Sequence, residues 1–159
     1  IRRKLKLYYK ILIQSFFKLL YGNVFSNRNA NNLVKKEKIK IPNLNNLKIN
    51  IKFYKVSNAR IYTDNNENVA IIKNNFILPL ISFQQSKGKL KKPKYNSVIE
   101  IGTPSFLKKI KGRVFNLCQG GSGNNYFHFM FDVIPKIHLL IVKKRINFID
   151  YFYITNPRK

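Results

Sequence analysis

Apolar residues recur along this chain with two different periods. Over residues 1–21 the apolar positions fall near one face of a helix, while Arg and Lys supply many of the others. From residue 49 the period becomes two, because Ile49, Ile51 and Phe53 alternate with Asn, Lys and Tyr. The pattern therefore predicts an amino-terminal amphipathic helix and, beyond it, a region of strands.

A change in composition separates these two regions. Residues 23–46 are rich in Asn and Lys and contain the helix breaker Pro42, which is typical of a linker. We therefore divide the chain into a helix and linker, residues 1–46, and an α/β domain, residues 47–159.

Several short elements are predicted inside the α/β domain. Two apolar runs, residues 59–63 and 69–72, flank an Asp-Asn-Asn-Glu-Asn segment whose composition predicts a hairpin turn. The other predicted elements are strands at 76–81 and 97–101, a polar basic loop at 84–94, and a short helix that begins at Thr103 with Pro104 in its first turn.

Residues 112–145 are the most informative stretch. Residues 113–118 predict a central buried strand, residues 119–125 a loop with three glycines, and residues 126–145 a single helix that is apolar on nearly every side. Pro135 predicts a kink in that helix, and the apolar side chains of Phe127, Phe131 and Ile134 are expected to be buried. A strand, a glycine turn and a helix form the unit from which α/β ligand sites are built, so the fold class is predicted to be α/β.

Two polar residues interrupt the apolar helix. His128 and Asp132 are four residues apart and therefore share one face. A carboxylate among aromatic and aliphatic neighbours is costly to bury without a partner, and His128 is the nearest one. A structural pair and a catalytic pair remain equally open interpretations from this spacing.

The segment that contains this pair resembles a known family. Residues 125–135, Asn-Tyr-Phe-His-Phe-Met-Phe-Asp-Val-Ile-Pro, resemble the signature of glycosyltransferase family 61, although Phe129 stands where many relatives carry tryptophan. Residues 59–62 and 69–72 are similar to the family's amino-terminal strands, and residues 149–154 to the strand after the signature helix. The resemblance covers roughly residues 50 to 159.

The resemblance implies a fold and an activity. It implies a Rossmann-like amino-terminal domain of a two-domain, GT-B type glycosyltransferase, with the nucleotide-sugar donor bound mainly by a carboxyl-terminal domain that this chain lacks. It also implies transfer to a glycan or other hydroxyl acceptor with inversion, without a cofactor or an essential metal, in polysaccharide or glycoconjugate biosynthesis. On this view the chain is a fragment that shows no transfer alone.

Inversion requires a base that deprotonates the acceptor hydroxyl as it attacks. His128 oriented by Asp132 is one assignment, Asp132 as the direct base is the other, and His138 is interpreted as structural. Backbone amides of the loop and the helix start can face an anion or sugar hydroxyls, or the loop can simply pack the helix on the strand. The expected substrate-binding residues are Gly120, Gly121, Gly123, Asn124, Asn125 and Tyr126.

The charge of the chain favours anionic partners. The formal net charge is +25, from 31 Lys and Arg against 6 Asp and Glu. This balance is typical of nucleic-acid binding or of contact with an anionic membrane or a phosphorylated donor. Because the lysines are scattered rather than gathered on one motif, a nucleic-acid-binding module is the alternative function and not the first. An inactive fragment is a third interpretation.

The basic amphipathic helix over residues 1–21 has two interpretations. It can dock on its own domain, or it can lie on an anionic bilayer as a peripheral contact. Its longest uncharged run is too short to span a membrane, and it lacks the cleavage site of a signal peptide. The lone Cys118 excludes an internal disulfide and is interpreted as a small core residue. The expected location is the cytoplasm, with membrane association as a further possibility; no oligomeric state is predicted.

Overall fold

The computed structural model of the chain describes residues 2–40, 50–64, 68–86, 88–118 and 126–154. In chain order its helices and strands are α1 (Arg2–Tyr21), β1 (Phe25–Ser26), β2 (Lys35–Lys40), β3 (Asn50–Lys55), β4 (Arg60–Thr63), β5 (Asn68–Lys73), β6 (Phe76–Ile77), β7 (Phe83–Ser86), β8 (Lys89–Lys91), α2 (Ser97–Ile101), β9 (Val114–Asn116), α3 (Tyr126–His128), α4 (Ile134–Val142) and β10 (Tyr151–Tyr153). A π-helical turn, Phe129–Val133, joins α3 to α4, and short 3-10 turns occur at Arg28–Leu33, Pro93–Tyr95 and Ile146–Phe148. The predicted α/β class is confirmed.

The largest sheet is organised around β5. Its strand order is β1-β6-β5-β7-β8, and β4 pairs with the other side of β5. β4 and β5 form the predicted antiparallel hairpin, with Arg60 opposite Ile72 and Thr63 opposite Val69. All pairs in this sheet are antiparallel except β1 with β6. Strands β2 and β3 form a separate antiparallel pair.

The core lies on both faces of β5, because every residue of this strand except the last is buried. Ala70 and Ile72 pack with Val24, Ile77 and Val98 on one face. On the other face, Ile71 packs with Ala30 and Leu78. A strand that is apolar and buried on both faces is central to its sheet.

A buried polar contact connects β5 to α2. Asn68 and Asn96 exchange side-chain hydrogen bonds of 2.9 Å and 3.1 Å, and the Asn68 amide also donates to Ser97 Oγ at 3.0 Å. The side chain of Asn96 caps α2 by accepting from the backbone N–H of Val98. Residues 97–101 were predicted to be a strand, but they form a helix that Asn96 caps. The run is too short for its apolar spacing to distinguish a helix from a strand.

Other sequence predictions in this region are also wrong. The polar residues predicted to be a loop, 84–94, instead contain most of the β7–β8 hairpin, which extends the sheet from the edge of β5. The strand predicted at 76–81 ends at Ile77, since Pro79 lies in the following turn. No helix begins at Thr103, whose segment is irregular as far as Arg113.

The segment interpreted as a linker is part of the fold as far as residue 40. Phe25–Ser26 pairs in parallel with Phe76–Ile77, and Val24 and Ala30 belong to the two core clusters. These few small apolar residues are easily overlooked in an Asn- and Lys-rich context. The boundary after residue 46 lies outside the described residues.

The carboxyl-terminal part forms a β-α-β unit. β9 and β10 pair in parallel, with Val114 opposite Tyr151 and Asn116 opposite Tyr153, and the long helix connects them. Asp150 Oδ2 accepts from the backbone N–H of Arg113 at 2.6 Å and from its Nε at 3.2 Å. These bonds, the side-chain bond first, hold the pKa of Asp150 below its usual value. They fix the register where the two strands begin.

The predicted central strand at 113–118 is shorter and less buried than expected. β9 covers only Val114–Asn116, all three half-buried, and among the described residues it pairs on one side only. Leu117 and Cys118 directly after it are buried, so Cys118 is the core residue that was predicted. The apolar sequence marked the strand correctly, but most of the burial falls at its carboxyl end.

The amino-terminal helix α1 is present with nearly the predicted bounds. Only Phe17 is buried, and its ring packs edge-on against Phe106 at 5.0 Å between centroids. Near the same end of the helix, the Tyr21 hydroxyl accepts from the backbone N–H of Leu107 at 3.1 Å. None of the described helices has the length and apolar character that crossing a membrane requires.

Candidate functional site

The two polar residues of the signature segment contact each other. His128 Nδ1 lies 2.7 Å from Asp132 Oδ2, and the side chains are 33% and 34% exposed. The four-residue spacing therefore brings the two side chains into contact, as expected.

The helix departs from α geometry where it carries this pair. Phe129–Val133 is a π turn, in which the Ile134 N–H donates to the Phe129 carbonyl five residues earlier. Pro135 follows at the first turn of α4 and has no amide hydrogen, while its ring would clash with the carbonyl of Phe131 in a regular helix. A wider turn before Pro135 relieves that clash. Single π turns are frequent at functional sites.

The helix is also shorter than predicted. α4 ends at Val142, and Lys144 adopts a left-handed conformation with φ of 50°. The run Lys143, Lys144, Arg145, which was assigned to the helix, is therefore its termination. Arg145 instead reaches the Glu37 carboxylate on β2 with two hydrogen bonds, which ties the helix end to the β2–β3 pair.

Lys136 is a third polar residue on the same side of the helix, and the sequence analysis missed it. It is half-buried, and its Nζ donates to the carbonyl of Cys118 at 3.5 Å. Burial lowers the pKa of the Lys136 ammonium, and the nearby charges of Asp132 and Cys118 oppose this effect. The sequence did indicate this residue: Lys136 lies four residues after Asp132, and the same spacing predicted that Asp132 shares a helix face with His128.

The apolar side chains of the helix do not lie where the sequence predicts them. Phe127 is 62% exposed and Phe131 is 65% exposed, and Ile134 is exposed as well. The Phe127 and Phe131 rings lie 4.6 Å apart between centroids, and the Phe127 ring meets His128 edge-on at 6.0 Å. The expectation that these three residues are buried is wrong: apolar composition does not determine which side of a helix faces the protein.

The helix combines half-buried polar residues with exposed apolar ones. Val133 and Leu140 are buried, and the apolar Phe129, Ile137 and Leu139 are half-buried beside His128, Asp132 and Lys136. The large exposed apolar side chains of the helix are Phe127, Met130, Phe131, Ile134, Ile141 and Val142. Half-buried polar groups and exposed apolar side chains both cost stability, so packing alone does not explain this distribution.

The glycine loop itself lies outside the described residues. Five of the six residues predicted to bind substrate, Gly120, Gly121, Gly123, Asn124 and Asn125, belong to it. The sixth, Tyr126, begins α3 and is 77% exposed. Cys118, the last described residue before the loop, accepts a hydrogen bond from Lys136 on α4, and this contact connects α4 to the end of β9.

The His128–Asp132 geometry is suited to proton transfer. When Nδ1 carries the ring proton, it donates to the carboxylate, and this tautomer makes Nε2 the basic nitrogen. A carboxylate that orients a histidine in this way also stabilises the imidazolium formed when Nε2 takes up a proton. The pair therefore has the arrangement of a general base and its orienting carboxylate, with Nε2 as the nitrogen that would take up the proton.

In the part of the chain that the structure describes, no group of three or more His, Cys, Asp or Glu side chains is arranged to hold a metal ion. Two open depressions are found, one lined by Arg60 and Asn75 among others and one by Phe25 and Asn27, and neither includes His128 or Asp132.

Comparisons with protein-family models, with curated proteins and with solved structures find no match to this chain.

Proposed function

We propose that the chain is the amino-terminal, Rossmann-like part of a GT-B type inverting glycosyltransferase similar to family 61. The observation that carries the proposal is the hydrogen-bonded His128–Asp132 pair, which is held half-buried on a π turn of the helix that follows β9. Retaining polar groups at positions that apolar side chains would occupy more stably is typical of a functional site.

The surrounding architecture supports this assignment. The pair follows β9 and the glycine loop, and the helix then leads to β10, which is parallel to β9. In open α/β sheets, ligands bind beyond the carboxyl ends of the parallel strands. His128 stands early in the helix that follows β9, in the region where this rule places a ligand.

The proposed reaction is a single displacement. The base removes the proton from an acceptor hydroxyl as that oxygen attacks the anomeric carbon of a nucleotide sugar. The new carbon–oxygen bond forms while the bond to the nucleoside diphosphate breaks, and the diphosphate leaves with the electron pair. Attack opposite the leaving group inverts the anomeric configuration. The reaction needs no redox cofactor.

Both assignments of the base remain part of the proposal. In the first, His128 Nε2 accepts the proton and Asp132 stabilises the imidazolium. In the second, Asp132 accepts it directly and His128 holds the carboxylate in place. Lys136 is a positioning residue in either case, because its bond to the Cys118 carbonyl fixes the helix against β9.

The exposed aromatic residues supply an acceptor surface beside His128. Phe127 and Phe131 are mostly exposed, their tilted rings lie 4.6 Å apart between centroids, and Phe127 meets His128 edge-on. Aromatic rings combine apolar area with defined geometry and pack against the apolar faces of sugar rings. A glycan acceptor on these rings would lie next to His128, whose side chain is one-third exposed.

The test measures single-turnover transfer with a panel of uridine and guanosine diphosphate sugars, using the protein together with the donor-binding domain that the proposal includes. His128→Ala and Asp132→Asn should each lower the rate by ~10² or more, as loss of a general base does, without unfolding. Added imidazole should restore activity to His128→Ala if His128 is the base. Loss confined to Asp132→Asn would assign the base to Asp132.

Matched controls come from the same unit. His138→Ala changes the other histidine of the helix, and Asp150→Asn changes an aspartate that pairs with Arg113 instead. Both should leave the rate unchanged. Normal rates with lowered melting temperatures in His128→Ala and Asp132→Asn would identify a structural pair and refute the proposal, as would failure to consume any nucleotide sugar.

A further inference from the structure

The first three turns of α1 project from the fold. Every residue from position 2 to position 12 is exposed, and the first buried side chain is Phe17. A helix of this length is marginal in water without tertiary contacts, since most helical stability in proteins comes from packing of an amphipathic face. A partner surface that covers the apolar side of these turns would stabilise them.

The outward side of α1 is its apolar side. Leu5, Leu12 and Leu19 follow one another at seven-residue intervals and are 70%, 68% and 89% exposed. Two aromatic residues of the same face, Tyr8 and Phe16, are also exposed. Phe17 and Tyr21, on another side of the helix, contact the fold, and Phe16 at the end of the stripe meets Phe106. The helix thus docks by one edge and presents a continuous apolar stripe to its surroundings.

The remaining positions of α1 are strongly basic. The helix contains no acidic residue, and half of its first ten positions are cations: Arg2, Arg3, Lys4, Lys6 and Lys10. All five are exposed. An apolar stripe of leucine and aromatic residues, flanked by Lys and Arg, is the composition of a helix that lies in the plane of a membrane interface.

A second segment extends this surface. The ring of Phe106 is 76% exposed and lies edge-on to Phe16, with 6.4 Å between ring centroids. The residues that follow it include the exposed Ile110 and three exposed lysines, Lys108, Lys109 and Lys111. Apolar and basic residues therefore continue from α1 onto the body of the protein.

We infer that the exposed face of α1, with Phe106 beside it, binds the surface of an anionic bilayer. Charge decides between this occupant and a second copy of the chain. A pair of α1 helices packed through their leucines would bring two sets of cations together and no acids, which is repulsive. Anionic headgroups neutralise the same cations, and the acyl boundary accepts the leucines and aromatic rings.

The experiment is co-sedimentation of the whole chain with phosphatidylcholine vesicles, with and without about one-third phosphatidylserine. Binding is expected to the anionic vesicles and to weaken with added salt. Leu12→Gln should lower the partition coefficient about tenfold, because glutamine keeps the helix but loses the apolar contact. Lys6→Gln combined with Lys10→Gln should lower it roughly thirtyfold.

The chain offers closely matched controls. Leu90, on β8, is 68% exposed like Leu12, and Lys89 and Lys91 on the same strand are exposed like Lys6 and Lys10. Leu90→Gln and the Lys89→Gln, Lys91→Gln pair should bind as the unchanged chain does. Circular dichroism of each variant confirms that α1 is retained.

Three results would overturn the inference. An equal loss of vesicle binding in the β8 variants would show that the whole positive charge of the protein attracts the bilayer, and not a site on α1. Self-association without lipid that Leu12→Gln abolishes would identify a second copy as the occupant. Binding of a polyuridine strand that depends on Lys6 and Lys10, with no binding to vesicles, would make the basic surface a nucleic-acid site.

Discussion

The buried Asn68–Asn96 contact allows a quantitative test of how the sheet and α2 are held together. Asn68 is fully buried and Asn96 is 3% exposed, and they exchange hydrogen bonds of 2.9 Å and 3.1 Å. Asn96→Ala removes this exchange and also the cap of α2 at Val98. Asn68→Ala removes the exchange but leaves the cap in place.

The expected magnitudes follow from which groups lose a partner. In Asn68→Ala the Asn96 amide keeps its place in the core without its acceptor, which costs about 1–3 kcal/mol for one buried unsatisfied donor. Asn96→Ala loses a helix cap in addition, worth about 1 kcal/mol, so it should be the more destabilising change. The double variant should cost less than the sum of the two by roughly 1–2 kcal/mol, because the shared contact is lost only once.

The assay is urea unfolding of the two single variants and the double variant, with the midpoint and slope fitted separately. Asn27→Ala is the matched control: Asn27 also caps a short helical turn, with one bond of 2.9 Å to the Asn29 N–H, but at an exposed position. It should cost less than about 1 kcal/mol. Additive effects, or an Asn96→Ala variant no less stable than Asn27→Ala, would refute the reasoning.

Two further predictions concern the β-α-β unit. Burial lowers the pKa of Lys136 in the folded chain. Between this lowered pKa and the ordinary lysine pKa, the unfolded chain therefore binds more protons than the folded one, and the free energy of unfolding should rise with pH. At neutral pH, below both values, the buried ammonium lowers the free energy of unfolding. In Lys136→Met that rise should disappear, and the free energy of unfolding at neutral pH should be kept or increased. Urea unfolding at a series of pH values measures both effects, with Lys109→Met at an exposed position as the control. A lower free energy of unfolding at neutral pH in Lys136→Met would contradict this prediction. Gly112 has φ of 138°, and an added Cβ would lie 3.0 Å from the Tyr151 ring. Gly112→Ala should therefore lower the free energy of unfolding by roughly 1–3 kcal/mol, measured by urea unfolding. An unchanged unfolding midpoint would show that the backbone where β9 and β10 begin can adjust to the extra methyl group.

Local signals in the sequence predicted much of this structure. The apolar run Val69–Ile72 next to an Asp- and Asn-rich turn predicted the β4–β5 hairpin, since both strands and their turn are adjacent in the chain. The contact between His128 and Asp132 was predictable for the same reason, because four residues span one helical turn. Lys136 could have been found with that spacing rule.

Features that depend on distant partners were not predictable. Residues 83–91 are mostly polar, and β7 forms because Phe83 and Gln84 pair with Val69 and Asn68 on β5. Residues 97–101 contain too few positions to separate a helical from a strand period, and the buried cap at Asn96 decides the outcome. The exposure of Phe127 and Phe131 reflects the packing of the whole helix, and composition only indicated that an apolar surface exists.

The exposed apolar side chains of the 126–142 helix lie apart from the main core. Leaving one phenylalanine exposed forgoes about 1.5–3 kcal/mol of burial, which is a large part of the ~5–15 kcal/mol that stabilises a typical domain. The two core clusters sit on the faces of β5, and no residue of the 126–142 helix belongs to either cluster. The sheet can therefore supply the stability while the helix holds polar groups in a position that packing alone would not select. A stable sheet beside a less stable helix is expected where function needs a segment of lower local stability. The proposed chemistry lies on this helix, where packing alone does not explain the half-buried polar residues.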